Sequence, residues 1–290
     1  MKNSGMINIG GRLLDLSSPK VMAIVNVTPD SFATRCTNIT EAEVLRQAAK
    51  AVQEGTDVLD VGGCSTRPGS ASPDLTEEWR RVRLALGAIR REWPEATLSV
   101  DTYRAEVARR AVEEFGPLIV NDISGGGGEA EWAQLEPGRM FETVAKLGIP
   151  YILTHMRGTP ATMSQKTDYT NLMSEMLAYF QTRVDELHRL GVRDIIIDPG
   201  FGFAKTLEQN YELLAKMHFL QELGLPILAG LSRKSMIQKA LGVTADDALN
   251  GTTALHVLAL EQGANILRVH DVKQAKEVIT LYTYYQHGRS

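Results

Sequence analysis

Eight short runs of β-branched and apolar residues recur along this chain, with helically spaced segments between them: Val21–Asn26, Val58–Val61, Thr97–Asp101, Leu118–Asp122, Tyr151–His155, Asp194–Asp198, Pro226–Leu231 and Ile266–His270. Runs this short and this apolar predict strands covered on both faces, and alternation with helices predicts that they pair in parallel. The intervening segments carry helix punctuation. "TEAEVLRQAAKAVQEG" opens on a capping-box pattern at Thr40 and Glu43 and closes on Gly55. Between the fifth and sixth runs, Leu172, Met173, Met176, Leu177, Phe180, Val184 and Leu187 fall on one helical face, and a last helix is expected from Val272 to about Tyr285. Eight such units without a low-complexity linker predict an α/β fold, a closed (β/α)8 TIM barrel forming one domain over residues 1–290. An open doubly wound sheet is the alternative, but no G-x-G-x-x-G follows the first run. "INIGGRLLDL" lies outside the count and predicts a Gly-Gly hairpin that caps the bottom of the barrel.

Composition removes several classes of function. A net charge of −4, from 31 Lys+Arg against 35 Asp+Glu, speaks against a nucleic-acid surface, which is normally basic. No apolar run reaches the roughly 18 residues that a membrane span needs. The opening "MKNSGMINIGGRLLDL" has no continuous apolar core of the secretory kind, so a cytoplasmic protein is expected. Cys36 and Cys64 make neither a disulfide framework nor a zinc spacing.

The polar residues inside the apolar runs are not scattered. The runs end at Asn26, Asp60, Asp101, Asn121 and Asp122, His155, Asp198, the Ser232–Ser235 segment, and Arg268 and His270. In a parallel barrel all these ends share one face, the face that carries the active site in this architecture. Taken singly, each has a plainer explanation: Asp60 and Asp122 as helix caps, His155 as a structural hydrogen-bonding residue. Together they form two chemical groups. Asp101, Asn121 and Asp198 suit a flat heterocycle whose edge carries adjacent N–H donors, whereas Asn26, Arg268 and His270 suit an anion, with a hard metal ion on the Asn oxygen. Lys234 and Ser235, at the start of the helix after the seventh run, suit a second anion.

The motifs "NVTPDSF" (26–32), "STRPGS" (65–70), "SVDT" (99–102), "NDISGG" (121–126), "DPGFGFAKT" (198–206), "SRKS" (232–235), "NGTTAL" (250–255) and "RVHDV" (268–272) resemble those of dihydropteroate synthase, in that family's order and over nearly the whole chain. The resemblance implies condensation of 6-hydroxymethyl-7,8-dihydropterin diphosphate with 4-aminobenzoate in folate biosynthesis, on a cytoplasmic barrel that is usually a homodimer and a target of sulfonamides. It implies that Asp101, Asn121, Asp198 and Lys234 hold the pterin, and that Arg268 and His270 hold diphosphate with Mg2+ on Asn26. Ser235, Phe203, Thr66, Arg67 and Pro68 would then form the aminobenzoate site, with Lys234, Asp101 and Arg268 carrying the catalytic load.

Two positions depart from the pattern. Thr34 stands where the loop over 29–39 commonly has an acidic residue, and Cys64 replaces the usual Glu at the head of the loop over 63–75. Two rivals therefore stay open on sequence: a pterin-dependent methyltransferase, which shares the pterin residues but has no diphosphate to stabilise, and a weakly active pterin-binding paralogue.

Overall fold

All eight predicted runs contribute strands. A computed structural model describes residues 5–28, 40–64, 72–127, 130–133 and 139–289. The chain opens with strands β1 (Met6–Ile9) and β2 (Arg12–Asp15), followed by β3 (Lys20–Asn26), α1 (Glu41–Gln53), β4 (Val58–Gly62), α2 (Leu75–Glu92), β5 (Leu98–Asp101), α3 (Ala105–Phe115) and β6 (Ile119–Asp122). After β6 come α4 (Ala130–Ala133), α5 (Met140–Leu147), β7 (Tyr151–Thr154), α6 (Leu172–Arg189), β8 (Ile195–Asp198) and α7 (Leu207–Lys216). The remainder is β9 (Leu228–Ala229), α8 (Ser235–Leu241), α9 (Leu249–Glu261), β10 (Ile266–Val269) and α10 (Val272–His287).

Strands β3 to β10 form one parallel sheet in the order β8-β7-β6-β5-β4-β3-β10-β9. Its two edges meet through an isolated parallel bridge, Ile197 to Ile227, which completes the ring. The expected barrel is thus present. The capping box of α1 is formed as predicted, the Thr40 hydroxyl accepting from the Glu43 amide and the Glu43 carboxylate accepting from the Thr40 amide. On α6, Leu172, Met173, Met176, Phe180, Val184 and Leu187 are buried on the predicted face, with Leu177 packed beside them.

One strand is shorter than its sequence suggests. In the run over 226–231 the strand covers only Leu228–Ala229, with Ile227 adding the isolated bridge to Ile197. Pro226 has no N–H to give to a ladder, and the Ile227 N–H goes to the side chain of Asn265 (2.9 Å).

The ring encloses two unlike layers. At the N-terminal ends of the strands Met22, Val58, Ile119, Ile152, Ile196, Leu228 and Ile266 pack together, and Ile7, Ile9 and Leu16 of the hairpin segment close over them. The β1–β2 hairpin is therefore the predicted plug, tied to the barrel by the Asn8 N–H donating to Asp194 (2.8 Å). Since side chains alternate along a strand, residues two further on point into the same interior. Those positions are Asp60, Asn121, Thr154, Asp198 and Arg268, with Ile24 and Gly230 beside them, so the filling changes from aliphatic to largely polar within one pleat.

Candidate active site

The polar layer is organised around one buried carboxylate. Asp60, on β4, is fully buried. Its Oδ2 accepts from Arg268 Nε of β10 (2.6 Å) and from Asn121 Nδ2 of β6 (3.0 Å). The other face of the Arg268 fork donates through Nη2 to Asp101 of β5. Strand register explains the meeting: Gly62 pairs with Asp101 and Asp101 with Asn121. The missing side chain of Gly62 also leaves room, because a Cβ there would lie 3.4 Å from the Cβ of Asp101.

Asp198 stands across the pocket at the end of β8, mostly buried, and accepts from the Gly200 N–H (2.8 Å). The turn that follows needs its glycines. Gly200 and Gly202 both have positive φ (68° and 80°), and a Cβ on Gly200 would fall 2.1 Å from the carbonyl oxygen of His155. Lys234 reaches over this turn to donate to the Phe201 carbonyl, its ammonium 4.1 Å from the centre of the Phe203 ring.

Lys234 is aimed by its neighbour. Arg233 adopts a left-handed backbone (φ 55°) and turns away from the pocket to grip Asp271 through Nε and Nη2 (2.8 and 2.9 Å), with Nη1 on the carbonyls of Ala245 and Asp246. The next residue then starts α8, where Ser235 is the first helical residue. No side chain caps this end, which leaves its amides directed outward. His270 lies one residue beyond β10, its Nδ1 3.2 Å from Ser232 Oγ.

Asp101, Asp198 and Lys234 are shifted toward neutrality, and Arg268 away from it. Burial pushes the Asp101 carboxyl up to about 7, against the opposing pull of Arg268, and it raises Asp198 against Lys234. Burial also brings the Lys234 ammonium down to about 8. The Arg268 guanidinium is stabilised in its charged form, because Asp60 and Asp101 outweigh the penalty of burial. Acids and bases with strongly shifted titrations, facing each other in a cleft, are the pattern expected of a candidate functional site.

Asn26 ends β3 partly buried, and its side-chain amide makes no hydrogen bond with another described residue. An uncommitted oxygen donor of this kind fits Mg2+, which keeps most of its waters and takes one or two protein oxygens plus substrate phosphates. Among the described residues no cluster of three or more His, Cys, Asp or Glu could hold a metal by itself. Thr66, Arg67 and Pro68, together with Cys36 and Thr34, lie outside the described residues.

The pterin binding enzyme model matches residues 22–270, from β3 to the residue beyond β10. Over 271 residues the chain is 40% identical to the dihydropteroate synthase of Escherichia coli strain K12, a match covering 93% of this chain and 92% of that one. The chain belongs to the dihydropteroate synthase family of pterin-binding enzymes. It is also 42% identical over 261 residues to the Synechocystis dihydropteroate synthase, covering 89% of this chain and 87% of the relative. Among solved structures, the Yersinia pestis dihydropteroate synthase with a sulfonamide drug superposes with a TM-score of 0.88 at 36% identity, over 97% of this chain and 99% of that one. The Xanthomonas albilineans dihydropteroate synthase with 4-aminobenzoic acid gives a TM-score of 0.86 at 36% identity over 98% of both chains.

For a member of this family, two buried groups escaped the sequence reading. Asp60 counts among the polar run ends, with a helix cap as its plainer explanation, yet it binds two candidate site residues. Asp122 caps no described helix either: its carboxylate accepts from the amides of Ser124 (2.7 Å) and Gly126 (3.0 Å) in the turn after β6, and from the Tyr151 hydroxyl (2.6 Å). The distinguishing signal was parity: Asp60 shares the interior face with Val58, and Asp122 lies opposite Asn121. The second group is Lys205, mostly buried, with Nζ on His155 Nδ1 (3.1 Å) and on the carbonyls of Gly200 (3.1 Å) and Phe203 (3.0 Å). Nothing in "FAKT" marks that lysine as buried. His155 keeps the structural role expected of it. Cys64 is half-buried and packs with Phe203 against Tyr103, Trp132 and Met163, which suits a thiol better than the carboxylate it replaces.

Proposed function

We propose that this chain is a transferase of folate biosynthesis, a dihydropteroate synthase that joins 6-hydroxymethyl-7,8-dihydropterin diphosphate to 4-aminobenzoate, giving 7,8-dihydropteroate and diphosphate. The observation that carries the proposal is the convergence of Asp101, Asn121, Asp198, Lys234 and Arg268 at one end of the barrel, in a chain alike over nearly its whole length to dihydropteroate synthases.

Asp101, Asn121 and Asp198 receive the N–H edge of the pterin, and Lys234 donates to its acceptor side. Arg268 has five N–H donors, of which Asp60 and Asp101 use Nε and one on Nη2, so it can meet the diphosphate without leaving them. His270 assists on the same side. When bound, Mg2+ on Asn26 would supply charge neutralisation to the leaving diphosphate. The C–O bond from the pterin methylene to the diphosphate breaks, the positive charge spreads into the ring, and the nitrogen of the aryl amine forms the new C–N bond and loses a proton. Positioning and electrostatics carry the rate, since no protein nucleophile is required.

Phe203, Ser235 and the N-terminus of α8 receive the aminobenzoate ring and carboxylate, together with Thr66, Arg67 and Pro68. We place all of residues 1–290 in one domain, in a cytoplasmic homodimer. The test is turnover by purified protein given both substrates and Mg2+. Dihydropteroate formation supports the proposal. Pterin binding without turnover would leave a paralogue, and methyl transfer from a reduced folate would leave the methyltransferase.

A further inference from the structure

Asp60 touches no expected substrate position, and yet it holds two residues that do. Its partner across the sheet is Ser99, and Ser99 pairs with Ile119, so within the polar layer Asp60 stands two residues of strand register before Asp101 and Asn121. From there a single oxygen, Oδ2, receives both Arg268 Nε (2.6 Å) and Asn121 Nδ2 (3.0 Å). Arg268 Nε can only donate, and a carboxylate paired with a guanidinium offers only acceptors, so the amide of Asn121 must present its nitrogen to Oδ2. That choice does not depend on how the nearly identical amide ends are assigned. No other described residue bonds the Asn121 side chain. Its oxygen therefore has to face elsewhere.

We propose that Asp60 is a positioning residue that fixes the sense of the Asn121 amide and thereby sets which order of donors and acceptors the pocket accepts on a ring edge. This rests on the pterin reading above. An amide can meet an adjacent donor and acceptor only in one order at a time, and reversing it by rotation costs almost nothing in shape. With the nitrogen tied to Asp60, the order is set for a ring carrying an amino donor beside a ring-nitrogen acceptor. A ring with a carbonyl in place of the amino group presents the reverse order and is rejected. Substitution of Asp60 by Asn supplies both a donor and an acceptor at the same place, so that either sense of Asn121 is satisfied. The pocket then loses its preference as well as part of its hold on Arg268.

The experiment measures calorimetric affinities of the wild-type chain and of Asp60→Asn for pterin and for its 2-oxo analogue lumazine, with circular dichroism to check folding. The wild type is expected to prefer pterin, and Asp60→Asn to reduce the ratio of the two affinities by about tenfold or more. A purely structural role for Asp60 weakens both ligands alike. An unchanged ratio therefore overturns the proposal and leaves the pterin reading intact, whereas a wild type that binds neither ring overturns both. Should Asp60→Asn not fold, the side-chain amide of Asn121 in 15N-labelled wild type serves instead. Its carboxylate-bonded N–H is expected to stay shifted and slow to exchange when pterin binds, and collapse of that signal overturns the proposal.

Discussion

Two side chains on opposite sides of the pocket carry opposite shifts of similar consequence. Asp101 loses its proton near 7 and Lys234 loses its own near 8, and the proposed chemistry needs the first as an anion and the second as a cation. The expected profile of kcat/KM against pH is thus a narrow bell with flanks at about 7 and about 8. Lys234→Arg lowers the maximum, but it should remove the alkaline flank and spare the acid one, because guanidinium does not titrate in this range. Persistence of the alkaline flank in that variant would assign it to another group. Lys205 adds a stability effect of definite sign. Burial brings it down to about 7 from 10.5, so between these values the unfolded chain binds the proton that the folded one has released. Its contribution makes stability rise with pH across that window, the full penalty applying below about 7. Lys205→Met should flatten this rise in urea titrations taken at a series of pH values.

At the level of elements, the barrel separates what makes it stable from what makes it active. Ile7 belongs to the hairpin plug, buried against Met22, Ile119 and Ile196 at the end away from the polar layer. Ile7→Ala should cost about 2–4 kcal/mol of stability, by cavity formation, with KM for both substrates unchanged. Urea unfolding together with steady-state kinetics checks both halves, and a changed KM would mean that the two ends are coupled. The same separation explains what was legible in the sequence. Apolar runs, their polar last residues, the α1 capping box and the Gly-Gly hairpin are local patterns, and each appears where the pattern put it. The length of β9 was not legible, because the amide of Ile227 just before it is diverted by Asn265, which lies far along the chain. Asp60 and Lys205 were misjudged or missed for a related reason: their burial depends on partners from other strands and turns, Asn121 and Arg268 for one, His155 and Gly200 for the other. Periodicity can place a residue on a face but cannot say who meets it there.

For the molecule as a whole, ligand binding and folding draw on the same arginine. Diphosphate with Mg2+ should raise the melting temperature by linkage, and Arg268→Ala should remove most of that rise. The variant will also melt lower on its own, by an amount corresponding to about 3 kcal/mol, because Asp60 and Asp101 lose the cation between them. The shift on adding ligand is accordingly the quantity to compare, and an equal shift in the variant would move the anion site elsewhere. The ring closure has a consequence of its own. Between β8 and β9 the barrel is joined by the bridge of Ile197 to Ile227 and the Ile197 N–H donated to Pro226 (2.9 Å), whereas β3 and β4 share a register of five pairs. Opening fluctuations should concentrate at that seam, and the Ile197 amide should trade its hydrogen for deuterium sooner than the Val61 amide. Asp198 lies on one side of the seam and Lys234 on the other, so a pterin held by both spans the gap. Deuterium uptake at Ile197 should slow on binding and uptake at Val61 change little, the substrate acting as a rung that the backbone does not provide.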